Sequence, residues 1–286
     1  MLILSAFCFS LMGLFVRLSG DLPTMEKAFF RNLVAAVIAV VIIVRDGKGI
    51  KPGRGNLPII LLRAIGGTVG VMGNFYAIDR LVLADANMLN KMSPFFTLVF
   101  SAIFLKEKLK PYQAAVVAAA FAGSLFILKP SFSNVSLLPA LAGFAGGLGA
   151  GFAYTCLRAL GKRGERSSVI ILYFSVFSSL VCLICMIPVY KTADLFQLAM
   201  LCMAGLAAAG GQFAVTTAYF YAPAREISVY DYSAILFSAI YGFAFFDQIP
   251  DWLSIVGYVI ICSAAIYNFY RNRSDCDSQE DRSNDN

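Results

Sequence analysis

The chain has 286 residues, 59% hydrophobic and 14% charged, against about 25% charged in an average soluble domain, and its mean hydropathy is +0.75. This is the composition of an integral membrane protein. There is no histidine, which excludes Ser-His triads, histidine metal ligands and histidine proton relays; the formal charge of +6 sits in short loops, so nucleic acid is not an expected partner.

In chain order the hydropathy predicts ten spans, at about 2–18, 24–44, 58–78, 83–105, 111–128, 137–158, 168–189, 195–219, 226–246 and 251–270. Each is close to the roughly 20 residues that a helix needs to cross a bilayer. The first begins almost at Met1 and lacks a basic n-region and a small-residue cleavage site, so it reads as a span and not a signal peptide; an upstream start codon stays open. The connections leave no room for a soluble domain, the longest being the Gly-rich basic stretch RDGKGIKPGRGNL at 45–57. Residues 271–286, RNRSDCDSQEDRSNDN, lack apolar periodicity and read as a disordered tail. Six of the seven cysteines lie in apolar runs and Cys276 in the tail. Cys182 and Cys185 are spaced C-x-x-C inside an apolar helix, which favours packing over redox or metal chemistry. No metal or cofactor is expected.

Of the 23 Lys and Arg residues, fifteen fall in loops 2–3, 4–5, 6–7 and 8–9 and in the tail, five on the opposite side, and three (Arg31, Arg63 and Lys91) inside spans. The positive-inside rule places both termini in the cytoplasm, with the inner or plasma membrane as the expected location.

Shifting the chain by 140 residues lays 84–109 over 224–249. Identity is low, with Ala84 over Ala224 and Ser93 over Ser233, but the layout repeats. A short link ends in a small residue, a span with polar early turns follows, an acid (Glu107, Asp247) closes it, and one more span comes after. Five spans is an odd number, so the second half enters the membrane upside down. The expected fold is all-α: ten transmembrane helices in two inverted five-helix repeats, 1–130 and 131–270. Such repeats place substrate sites near the midplane at their interface.

The order of spans, LKEKL at 105–109, YAPAREISVYDYSAILF at 221–237 and FFRN at 29–32 resemble the EamA-type branch of the drug/metabolite transporter superfamily. The resemblance covers nearly the whole chain. It implies ten helices, two inverted repeats, a central cavity opening alternately to each side, and a family acid at Glu107 whose second-half counterpart here is Asp247. FFRN is similar to some S-adenosylmethionine and riboflavin carriers.

The organising stretch is ADANMLNKMSPFF at 84–96, because an ionisable residue deep in a span is expensive unless it faces protein or a wet cavity. Lys91 is the repeat mate of Asp231, and the two approach the bilayer centre from opposite sides. They are expected to face one cavity, sharing water, substrate or each other; the alternatives are a purely structural ion pair or snorkelling. Asn87 and Asn90 share a helix face with Lys91, and either orient a polar ligand or bond between helices. Pro94 permits a kink or gate. Tyr230 and, less so, Tyr232 either stack on a flat ligand or belong to the interface belt. Arg31 either attracts a substrate anion or snorkels, whereas Arg63, nearer the inner end, reads as snorkelling. Asn74, Tyr76, Tyr154 and Tyr219 are second-tier candidates. The rows Gly66, Gly70, Gly73 and Gly143, Gly147, Gly151 read as close helix packing, and no phosphate-binding loop is present.

The expected function is therefore a secondary transporter, driven by a substrate or ion gradient, for an amino-acid-like, nucleoside-like or vitamin-like metabolite. Asp231, Glu226 and Asp85 are candidates to carry a coupling proton, although Glu226 and Asp85 lie near span ends, where facing the headgroups is the favoured reading. The expected partners are that metabolite and the lipid bilayer, and the expected state is a monomer or weak dimer. The alternatives are an S-adenosylmethionine- or riboflavin-type uptake carrier or a broad exporter; more remotely, a lipid-modifying enzyme, a flippase or a channel.

Overall fold

The computed structural model of the chain describes every residue except 48, 79, 82, 130–136, 248, 285 and 286; for 78, 83–86 and 272–284 it describes the backbone alone. The side chains of Lys48, Asp85 and Cys276 therefore lie outside the described residues. Among those residues the chain is helical throughout, without strands. The helices are α1 (Leu2–Leu18), α2 (Thr24–Asp46), α3 (Leu57–Ile78), α4 (Leu83–Asn90), α5 (Ser93–Phe104), α6 (Pro111–Leu128), α7 (Leu137–Lys162), α8 (Ser167–Met186), α9 (Leu195–Tyr221), α10 (Ala224–Ile227), α11 (Ser233–Phe246) and α12 (Trp252–Asn284). Among the described residues eight stretches are long and apolar enough to span a bilayer, and α1 is a shorter apolar helix. The fourth span of the sequence is split into α4 and α5.

Helix ends follow local chemistry. At the start of α9, Asp194 accepts from the Gln197 backbone N–H at 2.7 Å and the Gln197 side chain accepts from the Asp194 N–H at 3.0 Å, a reciprocal cap. Gly47 ends α2 in the left-handed region at φ 65°. Asp251 precedes α12 and accepts from the Ser254 N–H and hydroxyl. Lys129, at the end of α6, pairs with the same carboxylate, and that hydrogen bond and the bonds from Ser254 hold its pKa down at about 2.

Two expected spans are not continuous. α4 stops at Asn90 and α5 starts at Ser93, with Pro94 in its first turn. Proline has no N–H and its ring clashes with the carbonyl four residues back, here that of Asn90, so the helix cannot run through. Pro94 thus opens the second piece instead of kinking one rod. The ninth span is interrupted by a 3-10 turn at Ser228–Tyr232 before α11 starts at Ser233. Its turn is closed by the Ser233 hydroxyl donating to the Tyr230 carbonyl at 2.6 Å. The two restarts, Ser93 and Ser233, are 140 residues apart. Irregular backbone at membrane depth persists only where protein buries it or a cavity receives it.

The packing has the symmetry of an inverted repeat. The principal helix pairs are α3 with α7, α2 with α8, α1 with α9 and α6 with α12. Counted as spans these are 3 with 6, 2 with 7, 1 with 8 and 5 with 10. Exchanging the halves turns the first pair into the third and leaves the other two unchanged.

α7 is the hub, and glycines on two of its faces allow it. Gly146 and Gly149 meet the backbone of α3, where a Cβ on Gly149 would lie 2.7 Å from the Gly66 carbonyl oxygen. Gly147 meets the break, its Cβ position lying 2.5 Å from the Leu89 carbonyl oxygen. The row 143, 147, 151 thus packs on the broken span, and 146, 149 on α3. At the C-terminus the backbone of α12 is helical to Asn284.

Gly73 faces the Ala142 carbonyl oxygen and Gly146, whereas a Cβ on Gly13 meets nothing within 4 Å. Gly73→Ala is expected to destabilise the protein by roughly 1–3 kcal/mol through overpacking. Gly13→Ala is expected to be neutral or slightly stabilising. Thermal unfolding of the two variants in detergent checks the contrast.

Candidate functional site

The two helix breaks meet each other. Lys91, in the turn between α4 and α5, extends its ammonium to Asp231 in the 3-10 turn, with Nζ 3.2 Å from Oδ2 and 3.2 Å from the Asp231 carbonyl oxygen. In return the Tyr232 hydroxyl donates to the Lys91 carbonyl at 3.0 Å. Three contacts thus tie one break to the other, two of them accepted by backbone carbonyls. The pair is only partly buried, at 16% and 17% side-chain exposure, because it borders hollow space.

Arg31, Arg63, Asn74, Asn90, Lys91, Tyr154 and Asp231 share a cavity of about 200 Å³. That is room for about seven waters at roughly 30 Å³ each. A second hollow of about 270 Å³ also borders Asn90 and Lys91 and reaches Asn87, Gly13 and Leu128. Leu128 ends α6, so this hollow lies toward the face away from the termini. Lys91 borders both hollows, and Asp231 borders the first.

The face carrying the termini is tied together by polar contacts. Glu107, from the loop after α5, pairs with Arg158 at 3.1 Å and Lys162 at 2.8 Å, and Arg158 also donates to the Phe220 carbonyl of α9. Buried Glu165 accepts from the Gly53 N–H at 2.8 Å and the Asn56 side chain at 3.0 Å.

Several expected residues change place. Arg63 does not snorkel: it is 2% exposed, donates to Gln212 at 3.1 Å and lies over the Phe174 ring at 4.2 Å. Gly67, one turn on in α3, makes this possible, because a Cβ there would overlap the Arg63 guanidinium. Arg31 is 8% exposed and borders the same cavity. Tyr154 faces the cavity, whereas Tyr219 is packed behind it, stacked ring on ring at 5.1 Å and 15°. Tyr230 points elsewhere, into an apolar groove beside α12, and it is Tyr232 that touches the break. Asn87 borders the second hollow and not the arginine-lined one. Tyr76 lies under the Arg80 guanidinium at 4.0 Å. Gln212 and Phe174 carry no charge, and nothing in their sequence surroundings marks them. Among the described residues no cluster of three or more Cys, Asp or Glu could hold a metal ion.

A polytopic helical bundle with a charged hollow where two broken helices meet is an architecture found among membrane transporters. Residues 1–129 match the EamA-like transporter family. The chain is 32% identical to a pseudopaline exporter of Pseudomonas aeruginosa, over 92% of this chain and 93% of that one. It is 26% identical to an S-adenosylmethionine uptake transporter of Rickettsia bellii, over 90% and 87%. A crystal structure of 16% sequence identity superposes with a TM-score of 0.83, over 94% of this chain and 96% of that chain, and supports the fold alone. The chain belongs to the EamA-like transporter family, in the drug/metabolite transporter superfamily, and these relatives make it a multi-pass membrane transporter of small metabolites.

Because Lys91 and Asp231 contact each other directly, their removal should be non-additive. A double-mutant cycle on Lys91→Ala and Asp231→Ala is expected to return a coupling of roughly 0.5–3 kcal/mol in detergent unfolding. Lys27→Ala with Asp231→Ala should add.

Proposed function

We propose that this transporter moves a small polar or amphipathic metabolite across the cytoplasmic membrane by alternating access, through the hollow at the repeat interface. The site residues in this reading are Lys91, Asp231, Asn74, Asn90, Tyr154 and Arg31, with Arg63 added from the geometry. The observation that carries it is the Lys91–Asp231 contact. Each partner sits on a break in its own repeat, each break borders the cavity, and a solute competing for either charge acts on both halves at once. A ligand changes a conformational equilibrium only through its differential affinity for the two states. A contact whose partners lie on different halves is suited to supply that difference.

The excess of Lys and Arg in the loops on the side of the termini supports a cytoplasmic location for both termini. The contacts of Glu107 and Glu165 then lie on the cytoplasmic face and the second hollow reaches toward the outer one, so this conformer is latched inside. Transport in this reading draws on a solute or ion gradient, because the sequence carries no nucleotide-binding loop. Asp231 is the acid placed to exchange a coupling proton or ion with the cavity.

The test is counterflow in proteoliposomes across a library of amino acids, nucleosides and vitamins. At least one compound should show saturable, competable flux, and Lys91→Ala and Asp231→Ala should each reduce it at least ten-fold while still folding. Wild-type flux retained in both variants would remove the pair from the pathway. Flux that no competitor saturates would indicate a channel.

A further inference from the structure

The charges around the cavity do not balance. Four charged side chains among the described residues border it: the cations Arg31, Arg63 and Lys91, and one acid, Asp231. Lys91 already holds Asp231. Neither arginine has a carboxylate partner among the described residues, and both are more than nine-tenths buried. Arg63 spends one N–H on Gln212, while its Nε and Nη1 are buried with no acceptor. Arg31 forms no hydrogen bond or ion pair among the described residues. The side-chain oxygen of Asn74, on the same wall, is likewise buried and unpartnered.

Uncompensated buried charge is destabilising, and a purely structural role would not leave guanidinium donors without acceptors. A guanidinium presents parallel N–H groups that match a carboxylate or phosphate in two-pronged fashion. The Phe174 ring covers one face of Arg63 and Gly67 clears room for its fork, so the group is held in one orientation.

We propose that the solute is a small organic anion, carrying a carboxylate or phosphate that Arg63 and Arg31 receive and an N–H or O–H that donates to Asn74. This deepens the transporter reading above and rests on it. The arginine-lined hollow of about 200 Å³, below the roughly 300–1,000 Å³ of drug-sized sites, suits a compact anionic group, and the second hollow of about 270 Å³ leaves room beyond it. Tyr154 and Phe174 supply the apolar wall along which its carbon skeleton lies.

Thermal-shift titration of the purified full chain with succinate and phosphoglycolate, against uncharged succinamide and cationic putrescine, tests the assignment and separates carboxylate from phosphate. At least one anion should stabilise the wild type at millimolar concentration, and the uncharged and cationic compounds should not. Arg31→Met and Arg63→Met should each weaken that anion's apparent affinity at least ten-fold. Ligand-free Arg63→Met should melt at or above the wild-type temperature, since a buried cation without a carboxylate partner has gone, whereas an arginine held mainly by Gln212 and Phe174 for structure would lower it. Arg63→Lys, which keeps the charge without the fork, should bind with intermediate affinity and serves if Arg63→Met does not fold. Stabilisation by putrescine or succinamide that is lost in Lys91→Ala would overturn the anion assignment and leave the transporter reading standing. Failure of both anions to stabilise, or anion binding untouched in both methionine variants, would also overturn the assignment; the counterflow experiment judges the transporter reading separately.

Discussion

The ion pair between Lys91 and Asp231 joins two polypeptide breaks that enter the membrane from opposite faces. A lysine or an aspartate alone at this depth would be expensive. Together, and bordering hollow space, each supplies what the other lacks. The backbone participates as well, with the Asp231 carbonyl accepting from Lys91 and the Lys91 carbonyl accepting from Tyr232. The breaks exist because the pair and the cavity satisfy groups that a continuous helix would have satisfied itself. The pair lies there because the breaks bring side chains from both halves to one point.

Around that point the packing follows from small residues. Glycines on two faces of α7 let it approach α3 on one side and the α4–α5 break on the other at backbone contact. In hydrocarbon, where helices gain little from burying apolar surface, such close approach is a principal source of association. Polar ties gather on the face of the termini, where Glu107 and Glu165 bind neighbouring helices and loops. The described residues are thus tied together on the face of the termini and border a hollow toward the other.

Much of this could be read from the chain alone, for identifiable reasons. Hydropathy located the spans because crossing a bilayer demands length and apolarity. The 140-residue shift paired Lys91 with Asp231 because an inverted repeat conserves position even where identity has decayed. The breaks were missed because both stretches are apolar overall: Pro94 signalled a disturbance but not its place, and 228–232 contains no proline. Arg63 was misread because its depth in α3 matched a snorkelling residue. The features that hold it inward are a missing side chain one turn away at Gly67 and a ring from another helix, Phe174. Tyr230 faces the apolar groove beside α12, and Tyr232, fully buried, donates to the Lys91 carbonyl; neither placement follows from an α-helical register, because a 3-10 turn interrupts it here. Gln212 had no mark at all, since an uncharged amide acquires meaning only from the arginine it meets.

The central claim is that the two charges face water at the meeting of the halves. Cysteine accessibility in a background without native cysteines tests it most directly, with Lys91→Cys and Asp231→Cys exposed to a charged, membrane-impermeant thiol reagent and Leu62→Cys, on the exposed apolar surface, as the control. The account predicts that both site cysteines react and the control does not. Reaction of both only with a lipophilic, uncharged reagent, as for the control, would contradict it.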